Sequence, residues 1–182
     1  MRISFEVSSF LNDPRGLIEI LSNLHDMGLW SSYHDPEVER VACRTPSSAY
    51  NLCRFVNHAH GVSRGAERVF LKNPGIGIKY LRIVGRSSFL DEDTQRRFWR
   101  KVVKKPDLAY RWCESFQTRL SEEEEEVFVG DVRLAKEYAF FVRKEPFSES
   151  VHSKLILRSF EDMDVWSKNC LEQYIKWAAE KL

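Results

Sequence analysis

The sequence predicts an α+β fold: a mostly antiparallel sheet, of which a split barrel is one form, packed with about five helices. Three observations predict it. Arg2 to Ser9 alternates, with Ile3, Phe5 and Val7 on one face of a strand. Two β-rich runs, 68–72 and 76–85, flank Asn73-Pro74-Gly75, whose Pro-Gly pair suits a type II turn and therefore a hairpin. Other stretches carry apolar residues at helical spacing.

The elements follow in order. After the first strand, Asp13 caps and Pro14 opens a helix whose buried stripe is Leu17, Ile18, Leu21 and Leu24, stopped by Gly28. Leu29 to Tyr33 and Val38 to Arg44 read as short strands. Thr45-Pro46 repeats the cap-then-proline signature and opens a helix through Tyr50, Leu52, Phe55 and Val56. A loop over 59–66 leads into the hairpin. Asp91 begins a helix that Pro106 ends at Lys105, and a second runs from Asp107 to Leu120. Val127 to Val132, Tyr138 to Arg143 and Lys154 to Phe160 read as strands. From Asp164 an amphipathic helix carries Trp166, Cys170, Tyr174, Trp177 and Ala178. No internal repeat and no linker divides the chain, so residues 1–182 read as a single domain.

Composition narrows the function classes. Apolar residues make up 43% and charged residues 30%, which supports a packed core and excludes a disordered chain. The N-terminal residues lack the apolar core of a signal peptide, and no apolar run is long enough to span a bilayer. The four cysteines, Cys43, Cys53, Cys113 and Cys170, form no CxxC pair and read as reduced thiols. A cytoplasmic location follows as the expectation.

Net charge is +1 but unevenly spread. Residues 1–60 carry 5 basic and 7 acidic groups, residues 61–120 carry 14 and 6, and residues 121–182 carry 9 and 14. The basic excess centres on the 91–105 helix. On a helical wheel Arg96, Arg97, Arg100, Lys101, Lys104 and Lys105 occupy roughly 0–180°, and Phe98, Trp99, Val102 and Val103 roughly 200–340°. The apolar half suits a core. The basic half suits water, an acidic protein segment, an anionic cofactor or nucleic-acid phosphates. Glu122 to Glu126 offers a compensating charge, within the fold or between copies of a homo-oligomer. A pI near 7.7 argues against a dedicated nucleic-acid binder.

Other candidates are weaker in pattern. His58-Ala59-His60 is the one close histidine pair; on an extended segment both rings point the same way and suit a shared metal, but no third ligand has recognisable spacing. Ser47 and Ser48, at the start of the Thr45-Pro46 helix, suit either a phosphate or a plain cap. Gly75-Ile76-Gly77 lacks the third glycine of a dinucleotide fingerprint, and no Walker loop, nucleophile elbow or zincin motif occurs.

Tyr80 to Asp93, with Gly85-Arg86 at a corner, followed by Arg96-Arg97-Phe98-Trp99, resembles one stretch of the FMN-binding split-barrel family related to pyridoxamine phosphate oxidase. The resemblance implies a β-barrel, FMN as cofactor and oxidoreductase chemistry. It also implies Thr45 and Ser48 as flavin-phosphate ligands, with Ser47 and Arg86 beside them; Tyr50 stands where the family has lysine.

Three readings therefore stand: a non-catalytic binding or assembly domain that uses its basic helix on an anionic or acidic partner, a flavin-binding split barrel, and a nucleic-acid-associated protein.

Overall fold

Most helices among the described residues start where an Asp, Asn, Ser or Thr oxygen reaches the backbone N–H groups of a first turn; those that begin at Pro106 and Glu149 have no such cap. In the computed structural model, which describes residues 10, 12–28, 35–56, 60–158 and 163–181, none of the described residues lies in a strand. Helix α1 spans Pro14–Asp26, α2 Pro36–Ala42 and α3 Pro46–Asn51, the last continued by a π-helical turn, Leu52–Val56. A 3-10 helix, Ala66–Lys72, precedes α4, Pro74–Ile83; α5 spans Glu92–Val102 and α6 Pro106–Phe116. The short α7, Glu122–Glu125, runs into a second 3-10 helix, Glu126–Gly130. Helix α8, Val132–Glu137, continues as a π-helical stretch, Tyr138–Arg143; α9 spans Glu149–Leu157 and α10 Val165–Ala179.

The α+β expectation and its antiparallel sheet are therefore corrected. The expected strand Val38 to Arg44 is α2, capped by Asp35, whose side chain accepts from Glu37 and Val38 N–H. The expected hairpin is a 3-10 helix followed by α4. Asn73-Pro74 is not the corner of a type II turn: Asn73 Oδ1 accepts from Ile76 N–H at 3.2 Å, and Pro74 sits in the first turn, where its missing N–H costs nothing. Val127 to Val132, Tyr138 to Arg143 and the described part of Lys154 to Phe160 are likewise helical. Their β-branched and aromatic residues prefer strands only weakly, and burial on a helical stripe overrides that preference. Strands expected at Arg2 to Ser9 and Leu29 to Tyr33 lie outside the described residues. The helices opened by Asp13, Thr45, Asp91 and Asp164 form as predicted; α5 stops at Val102 rather than Lys105, and α6 at Phe116, where Gln117 turns left-handed.

The structure also reveals a repetition that the sequence reading missed. Phe10, Phe70 and Phe128 each offer a carbonyl to the N–H of a residue three positions on, Asp13 (2.9 Å), Asn73 (3.2 Å) and Asp131 (3.0 Å). Each of those side chains then caps the next helix, through Gly16 (2.9 Å), Ile76 (3.2 Å) and Leu134 (3.1 Å) N–H. Three helices follow each cap: α1, α2 and α3; α4, α5 and α6; then α8 with its π continuation, α9 and α10. In the first two copies a buried pair recurs four and eight residues after the cap of the third helix, Ala49 and Cys53, with Cys53 in the π-helical turn, and Ala109 and Cys113. Among the described residues the order of Phe carbonyl, cap and three helices thus occurs three times.

By internal packing the chain forms two compact units, one up to Trp99 and one from Arg100. In the first, α1 packs on α2, α3 and the π-helical turn, and α3 on α4. Leu17, Leu21, Val41, Leu52, Phe70 and Leu81 are its fully covered anchors. In the second, α8 packs on α10, and α6 and α9 pack on the 3-10 helix at Glu126–Gly130. Phe128, Leu155, Leu171 and Tyr174 anchor that core.

Candidate functional site

Helix α5 has the two-sided character its sequence predicts. Phe98 and Val102 are buried, and Trp99 is half-buried. Arg96, Arg97, Arg100 and Lys101 are exposed on the helix; Lys104 and Lys105 are exposed in the turn that follows. Glu92 and Asp93 in the first turn and Arg100 and Lys101 in the last complement the helix dipole, so part of this pattern stabilises the helix itself. Arg97 pairs with Asp93 at 3.5 Å, an exposed i, i+4 contact of about 0.3–0.5 kcal/mol. Among the described residues none forms an ion pair with Arg96, Arg100, Lys104 or Lys105.

The run Glu122 to Glu126 is not one acidic surface. Ser121 and Glu124 form a reciprocal capping box at the start of α7. Glu125 is buried against Arg143, and Glu126 pairs with Lys154. Three of the five carboxylates are engaged within their own unit, which leaves Glu122 and Glu123 as its exposed, unassigned members.

Among the described residues the two buried carboxylates, Glu67 and Glu125, sit in the same cluster twice over. In the first unit the Tyr80 hydroxyl accepts from Val62 N–H at 3.2 Å and donates to Glu67 Oε1 at 2.9 Å. Arg86 donates to the same carboxylate, and Leu90 N–H donates to Oε2 at 2.7 Å. In the second unit the Tyr138 hydroxyl accepts from Leu120 N–H at 3.0 Å and donates to Glu125 Oε1 at 3.2 Å, with Arg143 on Oε2. Aromatic trios frame both: Tyr80 stacks on Phe70 at 4.2 Å beside Phe89, and Tyr138 on Phe128 at 4.6 Å beside Phe147. Burial raises the Glu67 and Glu125 carboxyls, opposed by the hydrogen bonds and the arginine beside each. Burial also raises both tyrosines. Glu67 is 0% exposed, so no substrate reaches it, and the twin occurrence marks a structural staple of the repeat. Sequence reasoning missed these residues; their signal was an offset of 58 positions shared by Glu67, Phe70, Tyr80 and Phe89 with Glu125, Phe128, Tyr138 and Phe147.

The other predicted groups fall apart as sites. Thr45 Oγ1 accepts from Ser48 N–H at 3.1 Å and donates to the Ser48 hydroxyl at 2.9 Å, an ordinary N-cap; Ser47 is exposed beside it. Arg86 belongs to the Glu67 staple. The split-barrel resemblance is overturned, because that family needs a β-barrel and none of the described residues is a strand; FMN binding through Thr45, Ser47, Ser48 and Arg86 falls with it. His58 lies outside the described residues, His60 is exposed, and among the described residues no cluster of metal-ligand type occurs. Cys53, Cys113 and Cys170 are buried; burial pushes Cys53 and Cys113 up to about 12 and raises Cys43 as well, so these thiols stay protonated. No helix among the described residues is long and apolar enough to cross a membrane.

No protein-family model matches the chain, and neither a curated protein nor a solved structure matches it.

Proposed function

We propose that the protein is a non-catalytic helical-repeat binding protein whose α5 basic face docks an acidic segment of a partner protein. The observation that carries the reading is the run of exposed Arg96, Arg100, Lys104 and Lys105 with no ion-pair partner among the described residues. The titratable clusters that a catalyst would need are closed inside the two staples. An acidic protein is favoured over nucleic acid because a dedicated nucleic-acid binder characteristically has a pI above about 9, whereas this chain has a pI near 7.7. The proposal places the protein in a reducing compartment, the cytoplasm, on the support of four free thiols.

The test is the triple variant R96E/R100E/K104E. These side chains are exposed, so the variant should still unfold cooperatively, at a temperature lowered only slightly by the acidic charge placed in the last turn of α5. Binding to a fluorescent polyglutamate peptide at low salt should fall at least about tenfold, chiefly through slower association. Unchanged peptide binding removes the reading. Tighter, charge-reversal-sensitive binding to single-stranded RNA than to the peptide moves the function to nucleic acid.

A further inference from the structure

We infer that the second unit carries a small-molecule site for a flat organic anion, in a cleft of about 540 Å³ where the start of α8 meets the start of α10. The volume is that of a small-ligand pocket, about 300–1,000 Å³. Its polar lining comes from Asp131, Arg133, Arg158, Asp164 and Ser167, and Trp166 supplies its flat wall.

Both carboxylates in the cleft are already engaged. Asp131 Oδ1 accepts from Leu134 N–H. Asp164 accepts from the Trp166 and Ser167 N–H groups and from the Ser167 hydroxyl. These caps also occupy the helix N–H groups, so the helix ends are not what reads a ligand. Arg133 and Trp166 are placed differently. Arg133 is exposed, with its guanidinium 5.7 Å from the centroid of the Trp166 ring. Trp166 is 56% exposed. Arg158 is tethered at the wall by its Nη1 bond to the Val129 carbonyl at 2.8 Å. Guanidinium groups pair with carboxylate or phosphate, and an exposed indole stacks on a ring. A ligand that carries both features meets both.

The repeat supplies an internal control. Counted from each helix cap, the positions of Arg133 and Trp166 hold Arg15 and Ser47 in the first copy, and Gly75 and Asp107 in the second. The cap and the helix recur without the Arg–Trp pair, so the fold does not require that pair. An indole more than half exposed also adds little to a core.

The experiment titrates the full chain calorimetrically with phenyl phosphate, benzoate and adenosine monophosphate as flat anions, adenosine as a flat neutral compound, and inorganic phosphate as an anion without a ring. At least one flat anion should bind with a sub-millimolar Kd, at least about tenfold tighter than adenosine and phosphate. R133A and W166A should each weaken that binding about tenfold without shifting thermal unfolding. The inference is overturned if no flat anion saturates at millimolar concentration. Adenosine or phosphate binding equally well overturns it too, as does W166A leaving the affinity unchanged.

Discussion

The two Glu–Tyr–Arg staples reach one arrangement by different backbone routes. In the first unit α4 is a regular helix that ends at Ile83; Gly85 then turns left-handed at φ 68°, and Arg86, six residues after Tyr80, folds back onto Glu67. In the second unit the helix widens into π geometry from Tyr138 to Arg143. A π turn closes between residues five apart, so Arg143 stands one turn beyond Tyr138 without a glycine. The Glu67 carboxylate gathers a third donor, Leu90 N–H, whereas the guanidinium of Arg86 leaves its buried Nε without a partner among the described residues. The constraint the fold imposes is the buried ion pair with its tyrosine. The path of the chain between them is free to vary.

Removing the carboxylate tests that comparison with the largest effect. Glu67→Ala takes the carboxylate from the part-buried Arg86 and Leu90 N–H donors and should cost about 3 kcal/mol in urea unfolding. Glu125→Ala should cost less, because it orphans no backbone donor, although the Arg143 side chain, 15% exposed, is more buried than that of Arg86, 24% exposed. Equal losses would show that the Leu90 contact adds nothing.

A glycine separates the copies next. An added Cβ on Gly77 would meet the Phe98 ring at 2.5 Å and Phe70 Cβ at 3.2 Å, while the matching position in the other unit is a buried Ala135. Gly77→Ala should destabilise by about 1–3 kcal/mol despite its better helix propensity. Ala135→Gly should cost about 1 kcal/mol through propensity alone. A stabilised Gly77→Ala protein would mean that Phe98 repacks freely.

Tyr80→Phe and Tyr138→Phe each leave a buried N–H, of Val62 or Leu120, without its acceptor. Each should cost about 1–3 kcal/mol, measured by thermal unfolding.

The smallest effect is on pH dependence. Because burial holds Glu67 and Glu125 above the ordinary carboxyl range, the folded state keeps their protons to higher pH than the unfolded state. Stability from these groups is present at acid pH and declines as pH rises from the ordinary carboxyl range through the raised folded values. Glu67→Gln with Glu125→Gln should flatten that slope in denaturant titrations taken across it. An unchanged slope would assign it to other carboxylates.

The misreadings have physical causes. Asp13-Pro14, Thr45-Pro46 and Asn73-Pro74 carry one signal, yet only the first two read as helix starts. Gly75 completed a plausible turn after Pro74, and Ile76 to Val84 is apolar enough to look like a strand. The buried set there, Gly77, Ile78 and Leu81, has helical spacing, but Tyr80 is buried as well because its hydroxyl bonds Glu67. That partner, thirteen residues away, blurs the stripe. In Tyr138 to Arg143 the π geometry itself breaks the 3.6-residue period on which pattern reading depends. The basic half of α5 was legible because a helical wheel depends only on residues within one element.

The sequence by itself determined the caps, several helix starts and the segregation of charge along α5, since those depend on groups within about four residues of one another. Only the tertiary structure decided that Glu67 and Glu125 are core residues rather than surface charge, that three of the five consecutive glutamates are engaged, and that Arg133 lies over Trp166. Those outcomes depend on groups between 3 and 33 positions apart, and burial sets whether a charge there is solvated or must be paired.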